Sequence, residues 1–430
     1  MSVDYRRSVN KHFGTTGDMA VALFEYVQDG EVKKASGSFF RGGHTNFHPT
    51  NNSFSQPDFI DEYVMKGWEP SSKFVTKDTP IVAFGSCFAA NISNYLHNRG
   101  YTVLTKGDNK AYITQMGDGI VNTSAILQQF EWAWLNKIPK GDLWHGFKAQ
   151  EFGYEESVRL DTKALLDSAG LFIITLGLSE IWYDEVTGEV FWRAVPKDRY
   201  DPGRHKFRVA THAETLANLK AIHSIIRQFR PDAHIVFSVS PIPLTATFRP
   251  ISCLTADAVS KAVIRGALDE FLRGHGDDDR LHYMPSYEAV TRLFNNQWEV
   301  DRRHVQPHIL DFNMQMFESF YCTPGLSKDS LTKTFKAAIE EDLKIGMNGQ
   351  ESDGLTYSEI RRQKIEERRE ARRQARIRER VSARADAKRM LVREAAAPGK
   401  PQSKIKRVAG ILSKVAIGLL ALQGVVELVT

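Results

Sequence analysis

The chain has 430 residues, 42% hydrophobic and 25% charged, the proportions of a globular protein with length for one large domain or two medium ones. Its three cysteines, Cys87, Cys253 and Cys322, exclude a disulfide framework, and no CxxC or Cys/His pair has zinc spacing. The net charge of +5 hides an asymmetry. Residues 351–430 carry +9, which leaves −4 for residues 1–350, so a basic character suited to nucleic acid belongs to the tail and not to the body.

Residues 1–43 read as an N-terminal extension. The first ten residues are polar, with no apolar h-region. They predict no Sec signal peptide and a body kept in a reducing cytoplasm. Patterning stays weak up to residue 78. Residues 41–53 read as loop, and His44 and His48 lack acidic or cysteine partners at ligand spacing. A packed or solvent-facing loop is favoured there over a metal site.

From residue 80 apolar strands alternate with helices. Pro80 to Phe84 is a short apolar run that stops at Gly85-Ser86, followed by helical periodicity over residues 88–99. Residues 101–104 predict a second strand. Asn122 or Thr123 can cap a helix over 125–135, and residues 171–176 form a third strand, apolar enough to be covered on both faces. Residues 183–193, with Thr187-Gly188 between, predict a β-hairpin. A helix over 211–229, a strand over 234–239, a helix over 256–274 and a short strand over 281–284 complete the series. This alternation describes a parallel sheet with helices on both faces. Functional groups in such sheets sit where the strands end, here Gly85-Ser86-Cys87, Gly177-Leu178-Ser179-Glu180 and Ser240-Pro241.

The tail differs. Residues 355–397 are rich in Arg and Glu at spacings of three and four, which predicts a solvated helix without coiled-coil heptads. Pro398-Gly399 breaks it, and residues 398–430 read as a basic linker and an apolar helix. The clean apolar run, residues 415–422, is 8 long, short for a spanning segment of about 20. Three readings stay open: a span with Lys414 and Glu427 snorkelling, an interfacial helix on anionic lipid, or a helix packed on protein.

Ser86 sits at a strand-to-helix turn, where a nucleophile's oxyanion meets a helix N-terminus and where a plain N-cap is also common. Asp301-Arg302-Arg303-His304 places a carboxylate and an imidazole three apart on one side of a turn, the base and its orienting group that a serine nucleophile needs. A surface turn in a polar stretch accounts for the same residues.

Gly85-Ser86-Cys87-Phe88-Ala89, residues 175–182 (TLGLSEIW), residues 238–243 (SVSPIP), residues 283–288 (YMPSYE) and Asp301-Arg302-Arg303-His304 together resemble the GSCFA family, in order, over about residues 44–324. That family looks like a branch of the SGNH/GDSL hydrolases. The resemblance implies a flavodoxin-like three-layer α/β/α fold with a parallel five-stranded sheet over residues 44–346. It implies Ser86 as nucleophile, His304 as base and Asp301 as its orienting group. It also implies an oxyanion hole that includes the backbone N–H of Gly119, with Gly117 the neighbouring candidate. The usual Gly-x-Asn-Asp block stands here as Gly177-Leu178-Ser179-Glu180, so the hydroxyl of Ser179 or the amide of Asn122 would replace the missing asparagine. Cys87 is expected to turn into the helix as a buried, inert thiol. The implied activity is an esterase or O-acyltransferase acting on a small-molecule or glycan acyl ester, without metal or cofactor and without a nucleic-acid partner. A degenerate, non-catalytic binding domain is the rival. The tail would attach a cytoplasmic body to the inner face of a membrane.

Overall fold

The computed structural model describes residues 21–38, 44, 46–108, 110–115, 119–141 and 155–348, together with Glu366, Glu370 and Arg373. Its contacts divide the chain into two units, Met1–Glu351 and Ser352–Thr430.

The first described element is an antiparallel hairpin of β1 (Val21–Gln28) and β2 (Glu31–Ser38). Asp29 and Gly30 join the strands with φ of 53° and 81°, the left-handed pair that a two-residue hairpin loop requires. This hairpin lies within residues 1–78, which read as weakly patterned. The Asp-Gly signal was there, but the flanking strands VALFEYVQ and EVKKASGS have no clean apolar alternation.

β3 (Ile81–Phe84) and β4 (Leu171–Leu176) pair in parallel. β5 (Glu180–Asp184) and β6 (His205–Val209) form a separate antiparallel ribbon. β7 (His234–Val239) and β8 (Leu281–Tyr283) return to the parallel sheet, whose order is β3-β4-β7-β8. The sheet therefore has four strands where five were expected. Residues 101–104 contribute one parallel bridge, Val103 to Ile81, because the chain coils into a 3-10 turn at Leu104–Lys106. The expected hairpin at 183–193 is present in short form, as one bridge from Tyr183 to Val190 with the Asp184 and Phe191 N–H groups donating to the Glu189 and Trp182 carbonyls at 2.9 Å, while the other edge of β5 pairs with β6.

The helices are α1 (Cys87–Asn98), α2 (Tyr112–Gln115), α3 (Thr123–Leu135), α4 (Glu156–Ser168), α5 (His212–Phe229), α6 (Cys253–Arg273), α7 (Ser286–Leu293), α8 (Pro307–Tyr321) and α9 (Lys328–Asn348). Side chains alternate across the strands and feed two cores. Val82, Phe84, Phe172, Ile174, Ile235 and Phe237 pack with α3, α4, α5 and α6. Ile81, Ala83, Leu171, Ile173 and Val236 pack with α1, α7, α8 and α9. Strands buried on both faces follow from that sandwich, and each fully buried Phe or Ile contributes about 1.5–3 kcal/mol. Val103 and β4 flank β3 on opposite sides, so the chain reverses direction across the sheet at the carboxyl end of β3. That crevice is where open α/β sheets bind ligands.

In the second unit the described positions Glu366, Glu370 and Arg373 are helical, and Arg373 pairs with Glu370 at 3.7 Å. The remainder of the expected charged helix, and all of residues 398–430, lie outside the described residues. Among the described residues no helix is long and apolar enough to cross a membrane.

Candidate active site

Gly85 ends β3 with φ +131°, and a Cβ there would lie 2.1 Å from the Thr175 carbonyl oxygen of β4. Only glycine allows the strand to pass so close and turn upward. Ser86 follows as the N-cap of α1, 5% exposed, its Oγ accepting from the Phe88 N–H at 3.1 Å. None of the described residues accepts from the Ser86 hydroxyl itself. The capping role and a nucleophile's position therefore coexist: one lone pair holds the helix while the O–H remains for a base. Cys87 differs from expectation. It is half-buried and lines the same cleft as Ser86, because the first turn of α1 runs along the cleft wall.

Asp301 and His304 sit on a tight loop before α8. Trp298 bridges Val305, Glu299 donates to the His304 carbonyl at 2.7 Å, and Arg302 donates to the Glu299 carbonyl at 2.8 Å. Arg302 closes the loop with φ 59°, a left-handed conformation costly for a long side chain and typical of functional loops. The loop wraps one carboxylate. Asp301 Oδ1 accepts from the backbone N–H groups of Arg303 at 3.0 Å and His304 at 2.9 Å, and Oδ2 bonds His304 Nδ1 directly. Burial pushes the Asp301 carboxyl up, but the backbone and ring donors of His304 and the N–H of Arg303 outweigh it and hold it down at about 2. It is thus ionised at neutral pH, fixing the ring tautomer with Nε2 as the free acceptor.

The loop and Ser86 meet through Arg303. Arg303 lines a cleft of about 80 Å³ with Ser86, Cys87, Gly177, Ser240 and Arg193 among its walls. That volume holds two or three water molecules at about 30 Å³ each, the scale of a short acyl group. Arg303 also reaches the Pro243 carbonyl at 3.3 Å, tying the His304 loop to the segment after β7.

The expected oxyanion donors fare unequally. Asn122 is buried and both ends of its amide are engaged. Oδ1 caps α3 through the Ala125 N–H at 2.8 Å, and Nδ2 donates to the carbonyls of Trp192 at 3.1 Å and Phe191 at 3.4 Å. Ser179 is 2% exposed. Its N–H donates to Ser260 Oγ at 2.8 Å, and its own Oγ has no hydrogen-bond partner among the described residues. Gly119 is buried two residues before Val121, whose carbonyl accepts from the Gly177 N–H at 2.8 Å and which itself lines the cleft. Gly117 lies outside the described residues. Glu180, in the place of the block's last aspartate, is a buried β5 residue that accepts from Thr247 Oγ1 at 2.9 Å.

Lys261 of α6 was not anticipated. It is 4% exposed, and its ammonium donates to the carbonyls of Gly177, Ser240 and Ile242 at 2.7, 2.8 and 2.8 Å. All three acceptors belong to residues that line the cleft. Burial pushes the ammonium down to about 8, so it stays charged at neutral pH with all three donors in use. Lys261 shares the i, i+3, i+7 face of Ile264 and Leu268, the buried face of α6, a spacing that by itself does not mark one lysine as buried.

A search of curated proteins returns no match. The GSCFA family description matches residues 80–317, a stretch that runs from the start of β3 into α8 and includes Ser86, Lys261, Asp301 and His304. It covers more than half of the 430 residues, and the chain belongs to the GSCFA family.

Proposed function

We propose that the protein is a serine esterase or O-acyltransferase of the SGNH class, acting on an acyl ester of a carbohydrate or polysaccharide. The observation that carries this reading is the Asp301–His304 pair on a loop whose Arg303 lines the same cleft as Ser86. Counting position 103 as an edge strand, the order along the sheet runs second, first, third, fourth, fifth. That is the flavodoxin-like order, and it supports placing the family among the SGNH hydrolases.

In this mechanism His304 Nε2 removes the proton from Ser86 Oγ as the oxygen bonds the ester carbonyl carbon. Asp301 stabilises the imidazolium, and backbone N–H groups at the start of α1 and of Gly119, with Ser179 Oγ, hold the oxyanion. The ester C–O bond then breaks and His304 returns its proton to the departing alcohol. Water, or the hydroxyl of a second sugar, releases the acyl group from Ser86 by the same steps in reverse. The body works in the cytoplasm, held at the inner membrane face by residues 398–430.

A fluorophosphonate probe is expected to label Ser86 stoichiometrically, read by peptide mass spectrometry. Ser86→Ala and His304→Ala should each lower hydrolysis of a small chromogenic ester by about 10³-fold or more, with the double variant hardly worse, since residues acting as one unit are not additive. Labelling elsewhere, or a retained rate in both variants, sinks the assignment. A second reading, a non-catalytic glycan-binding domain, is favoured by the engaged amide of Asn122 and the missing asparagine at Ser179. An unlabelled Ser86 would support it.

A further inference from the structure

The cleft beside Ser86 is lined by two guanidinium groups, those of Arg193 and Arg303. Among the described residues neither forms an ion pair. Other arginines do: Arg204 with Asp184, Arg208 with Glu214 and Arg249 with Glu180. The Arg303 guanidinium makes only long bonds, 3.4 and 3.3 Å, to the Pro243 carbonyl. No Asp or Glu is among the described residues that line the cleft. Of the carboxylates around it, Asp301 is occupied by its own loop and by His304, and Asp257, which acts on Lys261, accepts from the Leu244 N–H at 2.8 Å. Under the floor, the Lys261 ammonium bonds only neutral carbonyls. Positive charge is thus concentrated in one cleft of a body that carries −4 over residues 1–350. General basicity does not account for it.

Arg193 is exposed and Arg303 half-buried, so both can receive an anion arriving from solvent. Arginine is the side chain that grips carboxylate or phosphate oxygens with two parallel N–H donors. We propose that the substrate carries an anionic group, a carboxylate or a phosphate, next to the ester, and that Arg193 and Arg303 bind it: the natural substrate is an acyl ester of an acidic sugar or of a sugar phosphate. The small pocket takes the acyl group, and the anion lies outward of it against the two arginines. This inference rests on the esterase reading for the word ester, but the anion site does not need turnover.

The experiment therefore measures binding and turnover separately. Isothermal titration of the full-length Ser86→Ala protein uses three probes: acetylated methyl glucuronoside, acetylated glucose phosphate and the neutral acetylated methyl glucoside. At least one anionic probe should bind about tenfold more tightly than the neutral one at low salt, the size expected of a hydrogen bond between charged groups. The advantage should shrink as salt is raised. Whichever anionic probe wins distinguishes carboxylate from phosphate. Arg193→Gln and Arg303→Gln should each reduce the anionic-to-neutral ratio severalfold, their combination to about one, while Arg193→Lys keeps part of it. Equal binding of all three probes overturns the inference. So does an unchanged ratio in the double variant with its melting temperature intact. Acetate release from unmodified protein is then followed on the same probes. Charge-dependent binding without release leaves the anion site and removes the esterase. Equal binding of the three probes together with release from all of them leaves the esterase and removes the anion site.

Discussion

A lysine ammonium donates at most three hydrogen bonds, and Lys261 gives all of them to the loops that follow β4 and β7. Lys261→Met would relieve a buried charge but leave three carbonyls unpaired, at about 1–3 kcal/mol each. A net loss of about 2 kcal/mol in urea unfolding is expected, with a larger loss of esterase activity as the cleft loosens. The pH dependence separates the two effects. Above about pH 8 the amine is neutral and has two N–H groups for three carbonyls, so activity should fall on the alkaline side. Global stability moves the other way. The unfolded lysine keeps its proton to about 10.5, the unfolded state then binds more protons than the folded one, and the contribution of this group to stability rises between the two values. A pH–rate profile flat to pH 10 would remove Lys261 from the argument. Ser86 was readable from its place between a strand and a helix. Lys261 was not, because a single lysine in an amphipathic helix reads as surface until three carbonyls are found around it.

Asn122 shows how an element can claim a residue that was a candidate both for a cap and for chemistry. Its side chain starts α3 and pins Phe191 and Trp192, both of which are buried in the core under α3. Asn122→Ala should cost about 1 kcal/mol for the cap and about 1–3 kcal/mol for the exposed carbonyl partners. Asn122→Asp keeps the cap but turns a buried carboxylate oxygen on the Phe191 and Trp192 carbonyls, so it should melt no higher than the Ala variant at neutral pH. An Asn122→Ala protein with unchanged stability and no activity would return the residue to the oxyanion hole. The same buried pair explains the shortened hairpin. Thr187-Gly188 does turn the chain, with Gly188 at φ +75°, and the Phe191 N–H still reaches the Trp182 carbonyl at 2.9 Å, but the Phe191 and Trp192 side chains enter the main core, and β6 pairs along the whole of β5. Turn chemistry was visible in sequence, whereas the competition between a ladder and a core was not.

Over the whole molecule, one acid-sensitive joint stands out. His234 on β7 and His282 on β8 are joined ring to ring at 3.0 Å, with Phe74 stacked against both. Burial pushes each imidazole down to about 4, helped by Arg280 at His234 and by His234 itself at His282. The unfolded rings titrate at about 6.5, so between pH 6.5 and 4 the unfolded chain holds more protons. The stabilisation is complete above 6.5 and is lost as pH falls toward 4. A drop of about 2 kcal/mol over that window is expected after allowing for the partial exposure of His234, and His282→Gln should flatten it. Stability unchanged from pH 7 to 4.5 would contradict the pairing. The tail has its own test. Full-length protein should float with anionic vesicles at low salt, and a version ending at Pro398 should not, while both keep esterase activity. A full-length protein that stays vesicle-free would make residues 398–430 a partner-binding segment instead.

Period and punctuation in the chain were enough for the α/β class, for the parallel strands of the sheet and for the helices after Ser86, Asn122 and Thr211, because apolar runs ended by Gly, Ser or Pro are local signals. The ordered set of five motifs from Gly85–Ala89 to Asp301–His304 was likewise enough for the family. The number of strands was not local: residues 101–104 have strand composition, yet only Val103 pairs, since the chain must coil at Leu104 beside β3. Nor was the content of the cleft. Gly85 against Thr175, Lys261 under three carbonyls and Arg193 beside Arg303 join residues tens to more than a hundred positions apart. Such contacts depend on how the crossovers lay helices on the sheet, and no period within a segment encodes them.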